Sequence, residues 1–191
     1  LESDAPMWRN AEEVISRGGA AVIPTDTIYG VVASALSRSA VEKVYHVRGR
    51  SPNKPCIVLI NSVRDVELFG VTMSKKDRDV LHAVWPAPVS VLLPCTGKKF
   101  QYLHRGTHTL AFRVPADTAL RSFLKKTGPV IAPSANKEGE PPVATVASAI
   151  ACFGDTVDAY VYGKTLRGSP STLVSLEDGR MSVIRQGVYR V

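Results

Sequence analysis

The feature that most limits the fold of this chain is a rhythm. Short apolar runs alternate with helix-like stretches, and several of the runs end in small polar segments. Residues 20–23 read as a buried strand, stopped by Pro24 and followed by Thr25-Asp26-Thr27. Residues 110–114 close on Arg113-Val114-Pro115, and 130–132 run into Ser134-Ala135-Asn136. Strands interleaved with helices argue an α/β layer fold. In open α/β sheets ligands bind just beyond strand ends, so several such ends on one face predict a polar-walled pocket.

The other elements follow from local signals. A helix over 11–17 stops at Gly18-Gly19. Ser39-Ala40-Val41-Glu42 has capping-box spacing and predicts a helix that Gly49 ends. Ser62 and Ser74 are placed as N-caps of helices over 63–69 and 75–84, and further helices are expected over 116–126 and 145–153. Further strands are expected at 56–60, 89–93, 159–162, 172–175 and 182–185. The expected organisation is one domain over 7–191, with 1–6 read as a cloning remnant or a disordered N-terminus.

Composition narrows the function classes. A chain of 191 residues can bury roughly two thirds of its unfolded surface, so it needs no disulfide or metal to fold. Its three cysteines, Cys56, Cys95 and Cys152, are scattered and form neither a disulfide framework nor a metal knuckle. That pattern fits a reducing compartment, and the expected location is the cytoplasm. No apolar run is long enough for a transmembrane helix. The net charge of +7 suits anionic ligands, nucleotides or RNA, without choosing between them.

Arg48-Gly49-Arg50, with Lys54 close behind, is the strongest local signal. Guanidinium forks match phosphate oxygens two at a time. The same cations can equally answer the dipole at a helix C-terminus. Ser134 and Asn136 can hold phosphate or ribose oxygens, or bond their own turn. Arg113 sits inside an apolar strand and needs an anionic partner, either an internal carboxylate or a ligand carboxylate. Several chemistries are excluded. Asp158 stands where a P-loop before Gly163-Lys164-Thr165 requires glycine, and there is no GxGxxG, HExxH or GxSxG. No metal site and no covalent nucleophile are expected.

Taken in order, seven segments resemble the YrdC-like family, the threonylcarbamoyl-AMP synthases of tRNA modification. They are PTDTIYG (24–30), VRGRSPNKP (47–55), WPAPVSVLL (85–93), LAFRVP (110–115), PSAN (133–136), PSTLV (170–174) and IRQG (184–187). The resemblance implies a twisted, open mixed sheet with flanking helices around a deep basic cavity, in the short, single-domain form. It implies the synthesis of threonylcarbamoyl-adenylate and pyrophosphate from L-threonine, bicarbonate and ATP, with Mg²⁺ carried on the ATP phosphates. A separate transfer complex would pass the threonylcarbamoyl group to adenosine 37 of tRNA, and weak RNA binding is a secondary expectation.

By motif, Arg48 and Arg50 would face the ATP phosphates as the catalytic pair, with Lys54 nearby. Thr109, Ser134, Asn136 and Arg185 would hold the nucleotide. Thr27, Arg113 and Ser171 would hold threonine, with Arg113 on its carboxylate. The chain departs from the family pattern at Arg48 (usually lysine), Ala87 (glycine), Ser90 (threonine) and Leu59 (histidine in some members), and in the acidic run Glu138-Gly139-Glu140. The alternative is a divergent member that binds RNA or nucleotide, or adenylates a different carbamoyl substrate.

Overall fold

The computed structural model describes residues 5–190. Among them, nine strands form one mixed sheet in the order β7-β1-β2-β6-β3-β5-β4-β8-β9. These are β1 (Ala21–Ile23), β2 (Gly30–Ser34), β3 (Val58–Leu59), β4 (Val89–Pro94), β5 (Thr109–Arg113), β6 (Val130–Ile131), β7 (Ala159–Tyr160), β8 (Thr172–Glu177) and β9 (Arg180–Arg185). Parallel pairings join β1 to β7, β3 to β5 and β4 to β8, and the other pairings are antiparallel. The helices are α1 (Ala5–Ser16), α2 (Arg38–Arg48), α3 (Lys75–Val84), α4 (Gln101–His104), α5 (Thr118–Thr127) and α6 (Val146–Phe153).

Period-2 alternation assigns each strand face to one layer. In β1, Ala21 and Ile23 pack with Ala11 and Ile15 of α1 and with Leu120, Phe123 and Leu124 of α5. Val22 turns the other way, into the larger core with Val41 and Val44 of α2, Leu81 of α3 and Phe153 of α6. Trp8 and Phe123, with ring centroids 5.4 Å apart, fasten α1 to α5.

Several helix starts are fixed by short polar side chains. The Ser74, Asp117 and Thr145 side chains accept from the backbone N–H three residues on, which satisfies donors that the first turn leaves open. The α2 cap is Ser37 rather than Ser39, with its Oγ 3.3 Å from Ala40 N. Arg38 and Ser39 are already helical, so the box at Ser39 does not form. Residues 63–69 form a 3-10 helix rather than an α-helix. Strand β2 and the turn of α4 were not expected. The predicted strand over 56–60 is laddered only at Val58–Leu59. The expectation for residues 1–6 falls largely outside the described residues, although α1 already includes Ala5 and Pro6.

Candidate active site

The helices leave part of one sheet face uncovered. On β5, Leu110 and Phe112 enter the core, while Thr109, Ala111 and Arg113 line a cavity of about 450 Å³. Leu92 of β4, Leu173 of β8 and Arg185 of β9 extend that wall. Thr25 and Thr27 beyond β1, Arg50 and Pro55 ahead of β3, Ser134 beyond β6, and Ser171 ahead of β8 are among the residues that complete the lining. The cavity therefore lies across a sheet face as well as at strand ends. Of the ten residues singled out in the sequence, Thr27, Arg50, Thr109, Arg113, Ser134, Ser171 and Arg185 line it.

Three guanidiniums share this space. Arg113 is 5% exposed and its Nη2 lies 3.1 Å from Asp26 Oδ1, yet its Nε has no partner. Burial pushes its pKa down and the Arg185 charge acts the same way, against the pull of Asp26. The internal carboxylate is thus present, and an unmet buried donor remains, which is costly unless something takes it. Asp26 is itself held by the Ala116 N–H, 3.1 Å from its Oδ2. Arg185 donates from Nη2 to Ser171 O at 2.9 Å. Arg50 donates to Lys54 O at 3.0 Å and to Pro55 O at 2.8 Å, which arches the loop that carries it.

The hydroxyls are arranged in pairs. Ser171 Oγ lies 2.8 Å from Ser90 Oγ, both residues buried. Thr25 Oγ1 donates to Ile28 O at 2.6 Å and accepts from Thr27 N at 3.1 Å. With that hydrogen committed, the 3.1 Å contact between the two threonine hydroxyls must be donated by Thr27. Thr27 keeps its lone pairs for a donor in the cavity.

Arg48, Lys54 and Asn136 stand outside the cavity wall. Arg48, 2% exposed, donates from Nε to Asn136 O at 3.0 Å and from Nη2 to Ser134 Oγ at 3.4 Å. Gly49, the α2 C-cap with φ +60, turns the chain so that Arg48 points inward and Arg50 reaches the cavity. Asn136 Nδ2 donates to Lys137 O and Glu140 O, as a turn residue does. Lys54 is 63% exposed and pairs with Glu138.

Sequence reasoning passed over Thr25 and Asp26 individually, although both lie in the polar segment that it singled out. Cys56, one of the three scattered cysteines, is buried and also lines the cavity. Burial pushes its thiol pKa up, against the pull of Arg50. Ser90, marked in the sequence only as a departure from the family pattern, gains its place at the site through Ser171, just ahead of the parallel strand β8. Among the described residues, no three or more His, Cys, Asp or Glu side chains gather as a metal site.

Comparison with known proteins identifies the family and the fold. A family profile, Sua5/YciO/YrdC, described as telomere recombination, matches residues 13–187. The threonylcarbamoyl-AMP synthase of Nitrosococcus oceani is 30% identical over 179 residues, covering 92% of this chain and 95% of that protein. The structure of P. abyssi Sua5 complexed with L-threonine is 27% identical with a TM-score of 0.86, over 94% of this chain and 54% of that one. This chain thus spans about half the length of the P. abyssi protein. E. coli YciO, at 20% identity and a TM-score of 0.82 over 96% and 90% of the two chains, shares the fold. With the profile reaching over all nine strands and seven of the ten motif residues on one cavity, the chain belongs to the Sua5/YciO/YrdC family.

Proposed function

We propose that the chain is a threonylcarbamoyl-AMP synthase that serves N6-threonylcarbamoyladenosine formation at tRNA adenosine 37. One observation carries the reading: Arg50, Arg113 and Arg185, far apart in sequence, meet in one cavity with the hydroxyls of Thr27, Ser134 and Ser171. Three cations and several hydroxyls fit a substrate with a carboxylate, a hydroxyl and phosphates. The named synthases among the relatives and the threonine complex of P. abyssi Sua5 support it.

Arg113, with its unpartnered Nε, takes the threonine carboxylate. Thr27 accepts from the amino acid's own donors, and Ser171, oriented by Ser90, lines the side-chain end. Thr109, Ser134 and Arg185 hold the adenosine side, Asn136 acts behind them through its carbonyl on Arg48, and the apolar wall of Ile57, Leu92 and Leu173 offers a dry surface for the base. Threonine's neutral amine reacts with bicarbonate to give a carbamate and water. A carbamate oxygen then attacks the α-phosphorus of ATP and pyrophosphate leaves. Arg50 and Lys54 neutralise the departing charge. Arg48 acts one step back, by fixing Ser134. The chemistry needs positioning and charge neutralisation rather than a side-chain nucleophile. Mg²⁺ carried on the phosphates of ATP would offset their charge beside Arg50 and Lys54.

The test is pyrophosphate release with Mg²⁺ and ATP. The expected result requires both L-threonine and bicarbonate, with serine and valine as controls. Equal use of valine would remove the role assigned to the threonine hydroxyl, since a site built to bond a hydroxyl rejects analogues lacking it by roughly 10⁴-fold. No helix among the described residues is long and apolar enough to cross a membrane, and the proposed location is the cytoplasm. The product passes to a separate tRNA threonylcarbamoyl-transfer complex.

One further feature favours weak RNA contact. A second groove of about 410 Å³ is lined by Arg38, Lys98, Lys99 and Arg105, with Glu42 as its carboxylate. Binding of tRNA that weakens steeply with salt and drops in a Lys98→Ala, Lys99→Ala double variant is the expected outcome.

A further inference from the structure

Glu138 lies on the loop that follows the Ser134–Asn136 segment, against the loop that carries Arg50 and Lys54. Its carboxylate accepts from the Ser51 backbone N–H and from Lys54 Nζ. Its own N–H donates to Arg48 O at 2.9 Å, and neighbouring Lys137 donates from Nζ to Val47 O at 2.6 Å. The Glu138 backbone and the Lys137 ammonium are therefore tied to the end of α2, independently of the Glu138 carboxylate and its two partners. A backbone N–H and an ammonium beside a guanidinium are the groups that commonly receive a phosphate. Here a carboxylate already occupies them. Lys54 and then the Ser51 N–H hold the Glu138 pKa below the ordinary carboxylate value, with the Arg50 charge acting in the same direction. Glu138 is thus anionic at the pH where nucleotides bind, and close enough to feel the cavity-lining Arg50.

We propose that Glu138 is an internal stand-in for the terminal phosphates of the nucleotide. It competes with them for Ser51 N–H and Lys54, so it weakens triphosphate and pyrophosphate binding while leaving monophosphate binding unchanged. When pyrophosphate forms, the carboxylate returns to the same two groups and speeds its release. Glu138 thereby sets how the site discriminates nucleotides by phosphate number. This inference rests on the nucleotide reading above and deepens it.

The experiment is calorimetric titration of the full chain with a non-hydrolysable ATP analogue, inorganic pyrophosphate and AMP. It uses wild type, Glu138→Gln, Glu138→Ala and the double variant Glu138→Gln with Lys54→Met. Removing one screened charge from beside a multiply charged phosphate should tighten the analogue and pyrophosphate about fivefold, less at high salt. AMP affinity should not change, and the gain should vanish in the double variant. Glu138→Gln keeps an oxygen for the Ser51 N–H, and Glu138→Ala provides a second removal of the charge if the amide settles differently. Unchanged or weaker pyrophosphate binding in both variants would show that Glu138 merely shapes the loop, and would overturn the proposal. An equal gain for AMP would overturn it too, because the effect would then be a general field. A wild-type protein that binds no ATP analogue overturns the nucleotide reading, a result distinct from either of these.

Discussion

Gly187 gives the most sharply defined perturbation. Its N–H donates to Thr172 Oγ1 at 3.0 Å. A Cβ added at Gly187 would lie 2.2 Å from Pro170 O and 2.5 Å from Ser171 C, where ordinary contact begins near 3.4 Å. The methyl of Gly187→Ala therefore needs more than an ångström of room, and the obstacle is backbone, which cannot rotate aside. Pro170 and Ser171 line the cavity, and Ser171 carries both the Ser90 bridge and the Arg185 hydrogen bond. Overpacking of this kind costs about 1–3 kcal/mol, a Tm loss of roughly 2–12 °C for a chain of this size. Displacing a substrate-positioning segment by an ångström costs on the order of 10²-fold in rate. Gly18→Ala is the control. Its φ is +80 and nothing lies within 4 Å of the added Cβ, so it pays only the left-handed backbone strain, about 1–2 kcal/mol, away from the cavity. Pyrophosphate release and thermal melts should show Gly187→Ala losing both stability and about a hundredfold in kcat/KM, and Gly18→Ala losing stability alone. A Gly187→Ala protein with wild-type kcat/KM and Tm would refute the reasoning.

Other outcomes follow from single contacts. Arg113→Ala leaves buried Asp26 without its ion-pair partner and should destabilise the fold by about 3–5 kcal/mol in denaturant titrations. Arg113→Lys keeps the charge but loses the planar fork, so its main effect should be a threonine KM raised about tenfold. Burial pushes the Asp158 carboxyl upward, but the Lys43 ammonium and the Ala20 N–H outweigh it, and its folded pKa is depressed. Its stability contribution is therefore full above the ordinary carboxylate range and fades as pH falls through the folded value. Since the side chain is 39% exposed, the effect is held to about 1 kcal/mol or less. Asp158→Asn should lose stability near neutrality and show a flatter acid limb below about pH 4 in melts across pH. Burial raises the Cys56 and Cys95 thiol pKa values and shields both groups, whereas Cys152 is half-buried. Brief alkylation at pH 8 followed by mass spectrometry should find Cys152 modified first.

What could be read from the sequence depended on how far apart the causes lie. Ser74 is legible as a cap because its hydroxyl stands directly before an amphipathic run, whereas Thr145, placed inside the helix expected over 145–153, proves to be its cap. Ser37 and Ser39 both qualify on local grounds and even contact each other, with their Oγ atoms 3.2 Å apart. Only the length of α2 chooses between them. Strand β2 is buried over Gly30–Ala33, so it has no alternation to betray it, and at five residues it has no length to compensate. The cavity is less legible still, because its contacts are long-range. Ser90 meets Ser171 across 81 positions, and Arg48 meets Asn136 across 88. Motif order could say that these residues belong together, but not which of them face the cavity. Arg48 and Arg50 make the point most directly. They are the same residue type two positions apart, and the charge pattern assigns them one role. The left-handed turn at Gly49 sends the first inward to fix Ser134 and leaves the second on the cavity wall. A glycine that merely ends a helix on paper thus decides which arginine meets the ligand, and a Gly49→Ala variant should disturb both arginines together even though its Cβ has nothing within 4 Å.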